Sequence, residues 1–567
     1  MDAAEFLGTA RYRVVRRLGF GGMGVVYEAE DREQGRRVAL KTLRRADADL
    51  LYRLKQEFRA LADVEHPNLI ALYDLVADGD DCYFTMELVE GVDLLHYVTA
   101  ARPEQARDTV DEDTDERDTM APRPMRCDEH RLRRALAQLV GAVDALHRAG
   151  KLHRDIKPSN AVVTASGRLV LLDLGLVMDH LVPETTSSSG RVVGTAAYMA
   201  PEQALSESQL GPAADWYAVG VVLYEAMTGR LPFRGPQTQV LMDKQATEPP
   251  PPRAVAGGVP PDLDELCVDL LRRDPAARPD AADILRRLGA TKFPAVVTPP
   301  PTAPMLIGRQ REMQALLAAL DSGSTRTIVI SGPSGIGKTA LLRAFLARAR
   351  ERHPHMVSLE GRCYEHETVR YRAMDPLIDH LSRYWERLSP EQAGLLTPRD
   401  AGALGQLFPV LRRIRLVDQA PQRRDADPQQ QRTRAYAALR DLFGRLAERV
   451  PLLLVLDDLQ WVDADTLVLL ADVLRPPDPP PLLLLLSTRA EGEPALARLL
   501  DQLEVARERI DLGTLSADEA EALARTLLGG GERAVAVARE AEGDPFLIGQ
   551  LAHYLEAAGA GAEVRLD

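Results

Sequence analysis

Cysteine is scarce in this chain: Cys82, Cys127, Cys267 and Cys363 are all there are among 567 residues. Their wide spacing, without a Cys-x-x-Cys pair, excludes a disulfide framework or a zinc ribbon and predicts reduced, packed thiols. Long apolar runs are lacking too. No segment nears the ~18 residues of a membrane span, and the start, MDAAEFLGTARYRVVRR, holds no signal-peptide core, so a cytoplasmic chain without a membrane partner is expected. Positive charge is in deficit, with a net charge of -14. That balance argues against a nucleic-acid-coating protein, although it averages over any local basic patch. No internal repeat is found, which removes the usual signature of a helical partner-binding array.

What is present is ordinary globular material, 45% hydrophobic, long enough for two to four domains at about 100 to 200 residues each. The most informative stretch is HRDIKPSN, His153 to Asn160. Phosphoryl transfer leaves little covalent work to a protein. It needs a carboxylate at the attacking hydroxyl, a cation at the moving phosphate and a metal ligand beside them, and Asp155, Lys157 and Asn160 supply those three. The stretch resembles the catalytic loop of eukaryotic-type protein kinases.

Other signals fall in the order that resemblance implies. Gly19, Gly21 and Gly24 make GxGxxG, where missing side chains let amides approach phosphate. Alone this is also a dinucleotide fingerprint or a plain glycine hairpin, but Val25, Val26 and Tyr27 continue as a strand where the dinucleotide motif wants a helix. The strand Val38 to Lys41 ends in the lysine that kinases aim at the α and β phosphates. An amphipathic helix over 51–64 offers Glu57 as its partner, with a solvated surface glutamate as the plainer reading.

The resemblance further implies that Leu18, Gly19, Gly21, Gly22 and Gly24 cover the nucleotide, that Met86 is the gatekeeper, and that the backbone of Glu87 and Val89 binds adenine. By the same resemblance Val26, Ala39 and Val162 line the base. Asp173, in Asp-Leu-Gly where kinases carry Asp-Phe-Gly, keeps an oxygen ligand for magnesium beside Asn160. Asp215 would brace the catalytic loop and Arg278 would pair with Glu202.

Residues 176–193 are the expected activation segment. Thr185 to Thr195 are candidates for autophosphorylation, and Arg154 stands ready to pair with a phosphate, the alternative being a merely flexible loop. The resemblance also implies serine or threonine as acceptor, on Thr195 and Lys157. Between 100 and 127 the chain turns acidic, with eight acidic and two basic residues from Glu104 to Asp118. It is expected to be a disordered insertion, either a tolerated loop or a dock for a basic partner.

The second half opens with the proline-rich stretch 290–304, an extended connector. GPSGIGKT, Gly332 to Thr339, has P-loop spacing between a β-branched strand and a helix, the required context. Gly332, Gly335 and Gly337 would free backbone amides for phosphates, Lys338 would reach the β and γ phosphates, and Thr339 would offer a hydroxyl to magnesium. The apolar run 451–456 ends in Asp457, expected at the magnesium, and Asp458, expected to orient water. Leu482 to Leu486 lead to Arg489, a γ-phosphate sensor candidate. This half resembles the STAND class of AAA-related signalling ATPases, on DDLQWVD (457–463) and EGDPFL (542–547). In that class the proline matching Pro545 approaches adenine, and self-association through the ATPase domain is implied.

The expected architecture is an α+β bilobal kinase fold followed by an α/β P-loop NTPase with a parallel sheet and C-terminal helices. Its parts are a tail (1–11), a kinase domain (12–289), the linker (290–304), an ATPase domain (305–510) and an incomplete helical lid (511–567). The expected activity is ATP- and magnesium-dependent phosphorylation of protein serine or threonine, coupled to a nucleotide switch. The alternative is an ATPase scaffold whose kinase fold only recruits partners.

Overall fold

The computed structural model describes residues 6–20, 24–43, 48–62, 64–78, 81–99, 123–124, 127–173, 195–204, 210–289, 306–421, 427–489, 506–529 and 531–558. Gly21, Gly22, the acidic insertion from 100 to 122, the activation segment up to 194 and the linker lie outside them.

The first lobe is a twisted antiparallel sheet of β1 (Tyr12–Phe20), β2 (Gly24–Asp31), β3 (Arg36–Leu43), β4 (Leu72–Asp78) and β5 (Asp81–Glu87), in the order β1-β2-β3-β5-β4. The start of β2 depends on glycine, since a Cβ at Gly24 would fall 1.9 Å from the Thr42 carbonyl oxygen on β3. One helix, α1 (Ala48–Ala62), packs across the sheet. Its sequence periodicity suggested a single buried face. Leu54, Phe58 and Leu61 do enter the lobe's core, but Tyr52, Lys55 and Arg59 are buried as well. A helix buried nearly all round must have a second neighbour.

The second lobe is helical around the buried helices Glu129–Arg148 and Ala213–Thr228. It carries a small sheet of β6 (Gly91–Asp93), β8 (Ala161–Thr164) and β9 (Leu169–Leu171). A two-residue parallel pair joins β7 (Arg123–Pro124) to β10 (Ala256–Gly257).

The remaining domain is a five-stranded, wholly parallel sheet. Its strands are β11 (Arg326–Ser331), β12 (Val357–Arg362), β14 (Leu452–Asp457), β15 (Leu482–Thr488) and β16 (Ala506–Asp511), in the order β12-β14-β15-β11-β16. The leucine runs explain why it is sandwiched. Leu452, Leu454, Leu482 and Leu484 enter one core while Leu453, Val455, Leu483 and Leu485 enter the other, as period-two side chains must when helices cover both faces. Three helices, Ala517–Leu528, Glu532–Glu540 and Pro545–Ala558, form a separate small core.

The two domains share structure. A short strand of the second domain, β13 (Glu367–Val369), joins the kinase-like sheet as a sixth strand parallel to β4, with Glu367 opposite Leu75 and Val369 opposite Ala77. Among the described residues no helix is long and apolar enough to cross a membrane.

Candidate functional site

Strand β3 delivers Lys41 to the floor of the cleft. Its Nζ donates to Glu57 Oε1 at 2.7 Å and to Asp173 Oδ1 at 3.1 Å. Burial alone would depress this ammonium, but the two carboxylates outweigh it and hold it well above its usual range. One cation serves two carboxylates here, and the deeper one carries the penalty. Burial pushes Glu57 up to about 7 against the pull of Lys41, whereas at Asp173 the pull of Lys41 overcomes burial and the carboxyl stays low.

The catalytic-loop trio converges as the sequence spacing implied. Lys157 Nζ donates to Asp155 Oδ2 at 2.6 Å, and Asn160 Nδ2 donates to the Asp155 carbonyl at 2.9 Å and to its Oδ2 at 3.0 Å. Beneath it, the Asp215 carboxylate accepts from the amides of His153 (2.9 Å) and Arg154 (2.8 Å) and lies 2.7 Å from His147 Nε2. Burial would raise that carboxyl; His147 and the amide of Arg154 keep it low and charged. The clamp holds Arg154 at φ 65°, a conformation that non-glycine residues avoid unless their surroundings impose it. Arg278 forks onto Glu202 at 2.6 and 2.9 Å. The segment that Arg154 would address lies outside the described residues, apart from its end at Thr195.

Ala39 and Met86 are buried neighbours on β3 and β5. Val26, Val89 and Val162 are half-buried, and Leu18 is exposed on β1 where Gly19 pairs with Val26. The Glu87 amide donates to the Ala71 carbonyl at 2.8 Å, which narrows the expectation for adenine at this position to its carbonyl. Its carboxylate pairs with Arg168 at 2.5 and 3.0 Å.

In the second domain the P-loop joins β11 to a helix, Lys338–Arg352, whose N-cap is Gly337. Gly335 (φ 81°) and Gly337 (φ 97°) take left-handed conformations that glycine adopts without strain. Lys338 Nζ closes the loop on its own carbonyls, donating to Gly332 at 2.9 Å and Pro333 at 2.8 Å. A cradle of amides and a lysine at a helix N-terminus suits a polyphosphate. Thr339 Oγ1 donates to Asp457 Oδ2 at 3.0 Å, placing hydroxyl and carboxylate where a hard cation wants oxygen. Asp458 (φ 58°) accepts from Arg362 Nε at 2.7 Å, and with Arg489 it borders the same hollow as Lys338.

Several contributors escaped the sequence reading. Ser487 donates to Asp457, and Arg362 fixes Asp458. The largest omission is the joint between domains. Lys55 donates to both oxygens of Asp375 at 2.8 Å and to Asp379 at 3.2 Å. Arg59 reaches Asp379 at 2.8 Å, Asp375 at 2.7 Å and also Glu367. Tyr52 belongs to the second domain's core, and Val369 to the first domain's. The available signal was a reciprocal spacing: cations four apart on α1, and acids four apart on the helix Met374–Glu386.

Residues 12–288 match the protein kinase domain family, and residues 305–486 the AAA ATPase domain family. Over 349 residues the chain is 33% identical to serine/threonine-protein kinase PknA of Mycobacterium tuberculosis, spanning 59% of this chain and 72% of that protein. It is 34% identical over 273 residues to PknL of the same species, covering 47% of this chain and 62% of the relative. To PrkC of Bacillus subtilis it is 30% identical over 291 residues, or 51% and 41% of the two chains.

Proposed function

This chain belongs to the bacterial serine/threonine protein kinases, and from that premise we propose how its residues divide the work. Both the kinase and the AAA ATPase domain use ATP with magnesium. Asp155 accepts the proton of the attacking serine or threonine hydroxyl as the γ-phosphoryl passes to that oxygen and ADP leaves. Lys157, 2.6 Å from it, offsets charge on the moving group. Lys41 is held for the α and β phosphates by Glu57, and Asn160 and Asp173 would hold magnesium.

The observation that carries this reading is the assembled set: Lys41 on Glu57 and Asp173, and Asp155 with Lys157 and Asn160. The assignments in the second domain are supported by Lys338 and Thr339 at the start of the helix after β11 and by the bond from Thr339 to Asp457. Kinase residues 12–289 provide the catalyst and 305–510 a nucleotide switch, in which Gly332, Gly335, Gly337, Lys338 and Thr339 take the polyphosphate. There Asp457 faces the metal, Asp458 a water and Arg489 the terminal phosphate. Thr185 to Thr195 remain the proposed autophosphorylation sites, with Arg154 as the proposed partner of the phosphate.

The test is transfer of labelled phosphate from ATP into the protein and into a generic basic protein, in wild type and Asp155→Asn. Label on serine or threonine in wild type alone supports the reading. Lys338-dependent ATP hydrolysis with no transfer in either protein would sink it in favour of an ATPase scaffold.

A further inference from the structure

The hollow over the P-loop is not built by one domain. A cavity of about 560 Å³ has Ser334, Lys338 and Thr339 on one side. Phe58, Ala62 and Leu72, all from the kinase lobe, lie on the other. That volume is in the range typical of small-molecule pockets, roughly 300 to 1,000 Å³. Exposed Glu65, just past the end of α1, also borders it.

The kinase side is held in place. Lys55 and Arg59 bind α1 to the carboxylates of Asp375, Asp379 and Glu367, and the pairing of β13 with β4 fixes the neighbouring strand. Its connection to the kinase cleft is short. Phe58 borders the cavity, its ring lies 5.9 Å from that of Phe84, and Lys41 Nζ sits 5.8 Å from the Phe84 centroid. Glu57, beside Phe58 in the same helical turn, is the partner of Lys41.

We propose that the P-loop site is a composite nucleotide site whose far wall is the kinase lobe, so that a nucleoside triphosphate seated on Lys338 and Thr339 is contacted by the end of α1. The inference rests on reading Gly332 to Thr339 as a phosphate-binding loop. It differs from a switch that acts through the linker, because here the kinase helix is itself part of the binding site. A change on the kinase lobe must then alter nucleotide affinity at the other domain.

The experiment measures binding of a fluorescent ATP analogue to the full chain, taking the component lost in Lys338→Ala as the P-loop site. Ala62→Trp puts an indole into the cavity and is expected to weaken that component about tenfold. Glu65→Lys replaces an acid at the border of the cavity with a cation and is expected to tighten it about threefold or more. Residue 65 is exposed, so Glu65→Lys decides the matter alone if Ala62→Trp does not fold with a wild-type melting transition. A shift of about threefold in the stated direction by either folded variant supports the composite site. No such shift in either, with a Lys338-dependent component present, overturns it and leaves the P-loop reading standing. Absence of any Lys338-dependent binding overturns both.

Discussion

Arg59 and Asp379 stand 320 positions apart in the sequence and meet at 2.8 Å, with Asp379 fully buried and Arg59 nearly so. Removing one partner of such a pair strands a charge in the interior, a penalty of about 3–5 kcal/mol, whereas an exposed pair is worth about 0–1. Arg59→Met should therefore lower the denaturant midpoint of the full chain sharply. Arg13→Ala, which breaks a pair with Glu30 that is exposed at both ends, should hardly move it. Equal midpoints for the two variants would contradict a buried joint.

The same joint should titrate. Two cations face three carboxylates, and burial pushes Asp379 up to about 6, while Lys55 and Arg59 overcome burial and hold Asp375 low. A carboxyl raised in the fold binds a proton there before it does in the unfolded chain. Its contribution therefore favours the folded state as pH falls through about 6 toward the ordinary aspartate range, and is lost as pH rises. Wild type should gain stability relative to Asp379→Asn between pH 7 and pH 5. Thermal melting of both proteins across that window reads the sign.

In the kinase cleft, Asp155→Asn should lower kcat by about 10²–10⁴ with little change in the KM for ATP, as loss of a general base does. Glu57→Gln keeps the shape but leaves the Lys41 ammonium with Asp173 alone, and should raise the KM for ATP as well as lower kcat. Steady-state transfer to a peptide separates the two patterns.

Tyr52 offers a test that removes no charged side chain. It sits on a kinase helix, packs in the ATPase core, and carries the Arg413 guanidinium 4.5 Å from its ring centroid. Tyr52→Ala should destabilise the full chain by about 3–5 kcal/mol, the range for truncating a large core side chain. Calorimetry that showed two independent transitions in the variant and one in wild type would assign that loss to the joint.

Both nucleotide-site frameworks could be read from residues alone because their parts are local or follow fixed order. A P-loop is eight consecutive residues, and the Lys41, Asp155 and Asp173 signals are short motifs in the order that the kinase resemblance implies. The choice of Glu57 as the partner of Lys41 needed only a helix and a distance. What stayed hidden was long-range. Glu367 to Val369 is three residues long, too short for any periodicity, and Lys55 and Arg59 look like ordinary helix-surface charges until Asp375 and Asp379 are brought to them. The fifth strand of the parallel sheet, Ala506–Asp511, was missed because ARERID alternates charge with few apolar residues, as suits an edge strand.

The β4–β13 pairing has a consequence for synthesis. The kinase-domain match ends at residue 288, yet the lobe's last strand begins at Glu367 and the anions for α1 extend to Asp379. With translation at roughly 5–20 residues per second, the nascent lobe waits on the order of ten seconds with an open sheet edge and an uncovered cation pair. During that interval the lobe is incomplete, because the edge of β4 that β13 later closes is still open to pairing.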